Sequence, residues 1–163
     1  MRRGGLLMCL ISGLFSLLGC AQKKMPEGDL VRVEFSRHGT MAGYEYYGRV
    51  KQDSTGAYVL RAMRESRGPL YEKKVDAAVI QKFRQIIEEE KMYKYKEVYT
   101  PMMRVLDGWS WSFSAKFSDG TVISAHGENA TPKGDGLARI RNYLTELALE
   151  GEQIETPADE DEW

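Results

Sequence analysis

The two histidines of the chain are the side chains best suited to catalysis. His38 stands in the run Arg37-His38-Gly39-Thr40, and His126 follows 88 residues later, directly before Gly127. A neutral imidazole is a good nucleophile or general base, and a neighbouring guanidinium stabilises the negative charge of a phosphate oxygen. The residue types therefore suggest phosphoryl transfer by Arg37, His38 and His126.

A strand that ends in Arg37-His38-Gly39 resembles the opening of the histidine phosphatase superfamily. The resemblance implies that His38 accepts the phosphoryl group, that Arg37 holds the phosphate and that His126 is the second histidine. That family has an α/β sheet, a loop that leads from this motif toward a helix, and a later arginine motif. Here residues 41–47 run straight into strand-like sequence, and no later segment clearly matches the arginine motif. A histidine in a hairpin loop is therefore the main interpretation, and a phosphohydrolase is the alternative.

Aromatic side chains are the next candidates for binding, because they cluster on predicted strands. The aromatic residues between Trp109 and Phe117 alternate with serines, which favours a buried strand facing helices. The tyrosines of the early strands are better placed to meet water, and we expect them to form a binding surface: Tyr44, Tyr46, Tyr47 and Tyr58. No cofactor is expected, and a zinc site is not expected with two histidines and no cysteine beyond position 20.

The first twenty residues predict export and lipid anchoring. Arg2 and Arg3 precede a 13-residue, mostly apolar run, Leu6 to Leu18, which is short for a spanning helix of about 20 residues and typical of a secretory signal. Its end resembles the bacterial lipobox through Leu17, Gly19 and Cys20. The resemblance implies cleavage before Cys20, which becomes the diacylated first residue of the mature chain. No aspartate follows Cys20, which favours a position in the outer membrane facing the periplasm. The other reading is an ordinary signal peptide in which Cys20 is incidental.

Composition divides the rest of the chain into three parts. We predict that residues 20–28 form a polar tether, residues 29–150 a single domain and residues 151–163 an acidic disordered tail. Residues 150–163 carry seven acidic side chains and no basic one, whereas residues 20–149 carry 21 basic and 17 acidic ones. The domain is only slightly positive and shows no Lys/Arg stripe along the sequence, so nucleic acid is not an expected partner.

The hydrophobic periodicity predicts an α+β domain. Alternation favours strands over residues 30–37, 44–51, 57–65, 109–117 and 121–126, with a further edge strand at 70–75. Helical spacing predicts a helix from Asp76 to about Lys91, and a second helix after Gly136. We therefore expect an antiparallel sheet of about five or six strands with two helices on one face, in the order β-β-β-(β)-α-β-β-α.

The last 40 residues of this domain carry a second resemblance. Trp109-x-Trp111-x-Phe113, then Phe117-Ser118-Asp119-Gly120, then Gly127-Glu128-Asn129-Ala130-x-Pro132 and a closing helix resemble a pattern in uncharacterised bacterial envelope lipoproteins. The resemblance covers Trp109 to Leu149 and implies a structural module, in which a fixed loop and a helix pack across a strand pair.

The sequence as a whole predicts an envelope lipoprotein without catalysis that acts as a binding or structural module. The expected partners are the lipid bilayer, through acylated Cys20, and an unidentified protein or small molecule. Two alternatives remain open: a periplasmic phosphohydrolase that uses His38, and a module that inhibits an enzyme through its loops.

Overall fold

The computed structural model describes residues 23–39, 43–63, 68–103 and 108–155. The cleavage site, Cys20 and the last eight residues lie outside these ranges. The elements in chain order are β1 (Leu30–Gly39), β2 (Gly43–Gln52), β3 (Tyr58–Met63), β4 (Leu70–Val75), α1 (Ala77–Glu89), a 3-10 helix (Met92–Lys94), β5 (Val98–Tyr99), β6 (Trp109–Phe117), β7 (Val122–Glu128), α2 (Gly136–Leu149) and β8 (Glu152–Ile154).

The strands form one open, mixed sheet in the order β5-β7-β6-β1-β2-β3-β4-β8. Every neighbouring pair is antiparallel except β5 and β7, which run parallel. The α+β class is confirmed, but the predicted count of five or six strands, the purely antiparallel sheet and the element order are wrong in detail. The two additional strands, β5 and β8, have two and three residues, too short to show a period of two in the sequence.

Both helices pack on the same face of the sheet and enclose the core. In β6 the inward side chains Trp111, Phe113, Ala115 and Phe117 are all buried, as their alternation predicts. They form one cluster with the buried faces of the helices, Ile80, Phe83, Ile86 and Ile87 of α1 and Leu137, Ile140, Leu144 and Leu147 of α2. This side of the sheet is hereafter the helix side, and the other is the open face.

Local signals set the limits of several elements. The Asp76 side chain caps α1 by accepting a hydrogen bond from the Val79 amide at 3.1 Å, as expected of an N-cap aspartate. The β6–β7 hairpin turns at Asp119-Gly120, where Gly120 has a φ of 84° and Asp119 accepts from the Thr121 amide at 2.8 Å. At each of these places one aspartate side chain accepts a backbone hydrogen bond, which starts a helix in the first case and closes a turn in the second.

The predicted tether is not a free linker over the residues that the structure describes. Pro26 is buried, and Met25 packs against the core cluster. The Arg84 guanidinium donates to the carbonyls of Pro26, at 2.8 Å, and Gly28, while the Gly28 amide donates to Asp119 at 3.1 Å. Residues 23–28 therefore form a docked segment that belongs to the folded domain.

The predicted disordered tail is also wrong at its beginning. Glu152–Ile154 is strand β8, which pairs with Leu70–Glu72 of β4. Acidic composition hides this strand, because the ladder hydrogen bonds use backbone groups that carry no composition signal. The remainder of the predicted tail, residues 156–163, lies outside the described residues.

Candidate binding face

The two histidines lie on the same face of the sheet but not side by side. His38 in β1 pairs with Ser110 of β6, whereas His126 in β7 pairs with Ser112 of β6. Strand β6 therefore runs between them, and two strand spacings plus two residues along the strand separate their Cα atoms by roughly 12 Å. Both imidazoles belong to the open face.

Arg37 is on the opposite side of the sheet from His38, because successive side chains of a strand alternate. Its guanidinium lies 4.8 Å from the centroid of the Trp109 ring. Arg37 lines a helix-side pocket of about 140 Å³ together with Trp111, Leu137 and Arg141. The structure therefore does not bring Arg37 to the two histidines, and the guanidinium that the phosphatase resemblance requires faces another pocket.

The electrostatics of His38 also bear on catalysis. Partial burial lowers the pKa of its imidazole below the ordinary value of 6.5, because desolvation disfavours the charged ring. At neutral pH the ring is thus mainly uncharged, and it contributes no positive charge for holding a phosphate.

The four tyrosines do not form one surface. Tyr46 is buried in the helix-side core, 6.0 Å from Phe35 between ring centroids, and Tyr58 donates to the Leu30 carbonyl at 3.2 Å from the same side. Tyr47 is on the open face but only 8% exposed, and the side chain of Tyr44 lies outside the described residues. The expected tyrosine surface is wrong, because β2 directs Tyr46 and Tyr47 to opposite faces.

The register of the open face creates a row of positive charge that crosses the sheet. Arg32 in β1 stands directly opposite Lys116 of β6 on one side and Lys51 of β2 on the other. Lys51 faces Val59 of β3, which in turn faces Lys74 of β4. We call Lys116, Arg32, Lys51 and Lys74 the cationic row.

A second row, one side-chain layer along the strands, mixes both signs. It contains Glu34, Arg49, Arg61 and Glu72, each opposite the next. Arg61 donates to Glu72 at 2.8 Å, and Arg49 is only 3% exposed, with its guanidinium 6.0 Å from the Tyr47 ring. Desolvation lowers the pKa of Arg49, and the charge of Glu34 acts in the opposite direction.

A third row is apolar. Tyr47, Met63, Leu70 and Ile154 pair in sequence across β2, β3, β4 and β8. Leu70 is completely buried although it does not belong to the core cluster formed with the helices. The open face therefore has charged and apolar bands at right angles to its strands.

Two members of the cationic row, Lys51 and Lys74, and three members of the second row, Arg49, Arg61 and Glu72, line a surface groove. The groove has a volume of about 540 Å³ and is lined by Arg49, Lys51, Gln52, Asp53, Ser54, Val59, Arg61, Glu72 and Lys74. Small-molecule sites are mostly enclosed and apolar, whereas this groove is wide and lined by charges. It is suited to an extended anion that makes several ionic contacts at once.

Sequence reasoning missed this face. The members of the cationic row come from positions 32, 51, 74 and 116, so no stripe is visible along the chain. Their shared feature is that each lies at a polar position of an alternating strand. Strand order and register, which the sequence did not provide, are needed to bring them into one line.

The helix side of the β6–β7 hairpin is held by a fixed loop. Asn129 adopts a left-handed φ of 50° and accepts from the Trp109 amide at 2.9 Å, and the Trp111 indole donates to the Ala130 carbonyl at 2.7 Å. These two hydrogen bonds fix the loop before α2 against β6.

No protein-family model, curated protein or solved structure matches this chain. The described residues contain no group of three or more histidine, cysteine, aspartate or glutamate side chains arranged to hold a metal ion. The helices described here are also too short or too polar to cross a bilayer.

Proposed function

We propose that this protein is a lipid-anchored, non-catalytic module of the bacterial cell envelope that binds an anionic partner on the open face of its sheet. The cationic row carries the proposal. Helices cover the other face of the sheet, and Lys74 and Lys116 at the two ends of the row are exposed.

The arrangement of the row supports a binding role because the register brings basic side chains of four strands into one line. Like charges directly opposite each other on neighbouring strands destabilise a sheet by up to about 1 kcal/mol per pair. Arg32 has such a neighbour on both sides. Glu34 in the same strand accepts a hydrogen bond from the Arg32 guanidinium and compensates the charge of Arg32.

The ligand that fits best is an extended chain with several carboxylates, such as an acidic segment of a partner protein. Lys51 and Lys74 are two strand spacings apart, roughly 10 Å, and Lys116 lies a similar distance from Lys51 on the other side of Arg32. Acidic side chains of one extended peptide recur about every 7 Å on one side. The long, flexible lysine side chains accommodate the difference between the spacing of the cations and the spacing of the acids.

Binding of a short polyglutamate peptide tests the proposal. The double variant Lys51→Gln, Lys74→Gln should bind about tenfold more weakly, and the affinity of the native protein should fall with added salt. The matched control is Lys82→Gln, Lys133→Gln, which removes two exposed lysines from α1 and the loop before α2. Equal loss in both variants would mean that only net charge matters and would contradict a specific face.

Catalysis is tested separately with a generic phosphate ester. The proposal expects that neither the purified native protein nor His38→Ala hydrolyses the ester. Hydrolysis that disappears in folded His38→Ala would instead support the phosphohydrolase alternative. Stable copurification with an envelope enzyme, together with loss of that enzyme's activity, would support the inhibitor alternative.

A further inference from the structure

The chain enters the folded domain at the edge of the sheet that carries β5. The Lys23 ammonium group donates to the carbonyl of Tyr95, just before β5, at 2.9 Å. Lys23 and Lys24 also line a second surface groove, of about 440 Å³, with residues 121–124 at the start of β7. Cys20 is only three residues before Lys23, so an acyl anchor on Cys20 would lie within about 10 Å of this edge.

Exposed lysines concentrate around this entry point. The segment that connects α1 to β5 carries three of them, and the chain entry adds two, so the set is Lys23, Lys24, Lys91, Lys94 and Lys96. Residues 23–28 and 91–103 together contain five lysines against two acids, Glu27 and Glu97. The acids at the end of α1, Glu89 and Glu90, are paired with Arg139 of α2 at 2.7 Å. Positive charge therefore exceeds negative charge at this edge.

Apolar side chains are exposed along the same edge. In the described part of the chain, four of the five exposed large apolar side chains lie in β5, shortly after β5 or in β7: Val98, Met102, Met103 and Val122. Val98 stands opposite His126 of β7, so Val98 and Val122 belong to the same face of neighbouring strands. Exposed apolar groups flanked by lysines suit the headgroup region of a membrane, where the apolar groups reach the acyl boundary and the lysines attract anionic lipids.

We infer that the β5 edge, made up of these five lysines and four apolar side chains, lies against the anionic headgroups of the bilayer that holds Cys20. The inference rests on the proposed function, since it takes Cys20 as the lipid anchor. A short tether alone leaves a domain free to rotate above the membrane. A second contact along the β5 edge fixes the orientation of the sheet.

This orientation keeps the open face available to its partner. Strand β4 is six strand spacings from β5, which places Lys74 about 29 Å from β5 across the sheet. That distance is well beyond the Debye length of about 8 Å at physiological ionic strength. The headgroups therefore do not compete with the partner for the groove of the open face.

A vesicle assay with an artificial anchor tests the inference without depending on acylation in the cell. The chain of residues 20–163 contains every residue that the structure describes and has Cys20 as its only cysteine. A maleimide-bearing lipid therefore couples this chain through Cys20 to vesicles of phosphatidylcholine and phosphatidylglycerol. Lys24, Lys94 and Lys96 should then react with a water-soluble acylating reagent about tenfold more slowly than in the untethered chain, as read by mass spectrometry. Lys74 should react at the same rate in both.

The charge of the edge should account for this protection. The variant Lys91→Gln, Lys96→Gln should lose most of the protection of Lys94, because each lysine near an anionic surface contributes about fivefold to binding. The matched control Lys73→Gln, Lys82→Gln removes two lysines from β4 and α1 and should retain the protection. Vesicles of phosphatidylcholine alone should protect the edge much less.

The outcomes separate this inference from the proposed function. The inference is wrong if Lys24, Lys94 and Lys96 react equally fast with and without the vesicle, or if Lys74 is protected as strongly as they are. Equal protection on vesicles of phosphatidylcholine alone would also contradict it. None of these results affects the proposed anchor or binding face, since fatty-acid labelling and peptide binding are measured separately. Protection of the edge in a chain whose Cys20 is not acylated in cells would support the contact and contradict the proposed anchor.

Discussion

Gly127 in β7 is a position where one methyl group is expected to matter. A Cβ atom there would lie 2.7 Å from both the Ala130 carbonyl oxygen and the Trp111 indole nitrogen, the two atoms that form the hydrogen bond fixing the loop before α2. We predict that Gly127→Ala destabilises the protein by about 2 kcal/mol, as overpacking of a tight contact does. Chemical denaturation measures the difference in the free energy of unfolding between Gly127→Ala and the native protein.

The matched control for Gly127 is Ser124→Ala, an exposed change in the same strand. It should alter the free energy of unfolding by less than about 0.5 kcal/mol. Equal stability of the two variants would mean that the loop yields at little cost and that its fixed geometry is not important to the fold.

His38 should make stability depend on pH in a defined direction. Its pKa is lower in the folded protein than in the unfolded chain, so the unfolded state binds the proton more readily. The favourable contribution is therefore present above pH 6.5 and is lost as the pH falls through 6.5 toward the lowered pKa. We predict that denaturation midpoints fall between pH 7.5 and pH 5.5 by more in the native chain than in His38→Gln.

Proton NMR gives a direct check of the same prediction. The chain has only two histidines, and His126→Gln identifies the His38 resonance. That resonance should titrate below pH 6.5. Titration above 6.5 would show that the ring is stabilised in its charged form and would reverse the predicted pH dependence.

At the scale of elements, the docked segment at residues 23–28 depends on α1. Arg84 is the α1 side chain that donates to two of its carbonyls, and its guanidinium also lies 5.7 Å from the Phe117 ring centroid. We predict that Arg84→Met, which keeps an apolar stem but removes the donors, releases the segment without unfolding the sheet.

Hydrogen exchange detects this release. The amides of Gly28 and Asp29 donate to Asp119 and Ser118 and should exchange about tenfold faster in Arg84→Met, because local opening becomes easier. Lys82→Met on the same helix is the control and should leave both rates unchanged. Unchanged exchange in Arg84→Met would mean that the packing of Met25 and Pro26 alone holds the segment.

Elements with a strong local signal could be predicted, and those defined only by their partners could not. The alternation of β6, the Asp119-Gly120 turn and the Asp76 cap each follow from the sequence of one short segment. Strands β5 and β8 are defined by their backbone pairing with β7, at His126, and with β4, at Leu70. The candidate site falls in the second class, since Arg32, Lys51 and Lys74 become neighbours only through register.

At the scale of the whole molecule, the proposed anchor would hold the domain close to the bilayer. Lys23, the first residue that the structure describes, donates to the Tyr95 carbonyl at 2.9 Å, and its position three residues after Cys20 allows a reach of about 10 Å. We predict that fatty-acid labelling of the native chain is lost in Cys20→Ala and retained in Cys9→Ala, and that the mature chain begins at Cys20. Labelling that persists in Cys20→Ala would remove the basis for the anchor.

The shortness of the two outermost strands has a consequence for crowding. Strand β5 has two residues, β8 has three, and Lys23 and Lys24 flank residues 121–124 on the neighbouring edge of β7. Copies concentrated in one plane, as the proposed anchor would concentrate them, collide often, and long unpaired strand edges would then join sheet to sheet. Short edges and lysines offer no such template, so the described fold is suited to dense coverage of a surface without fibre formation.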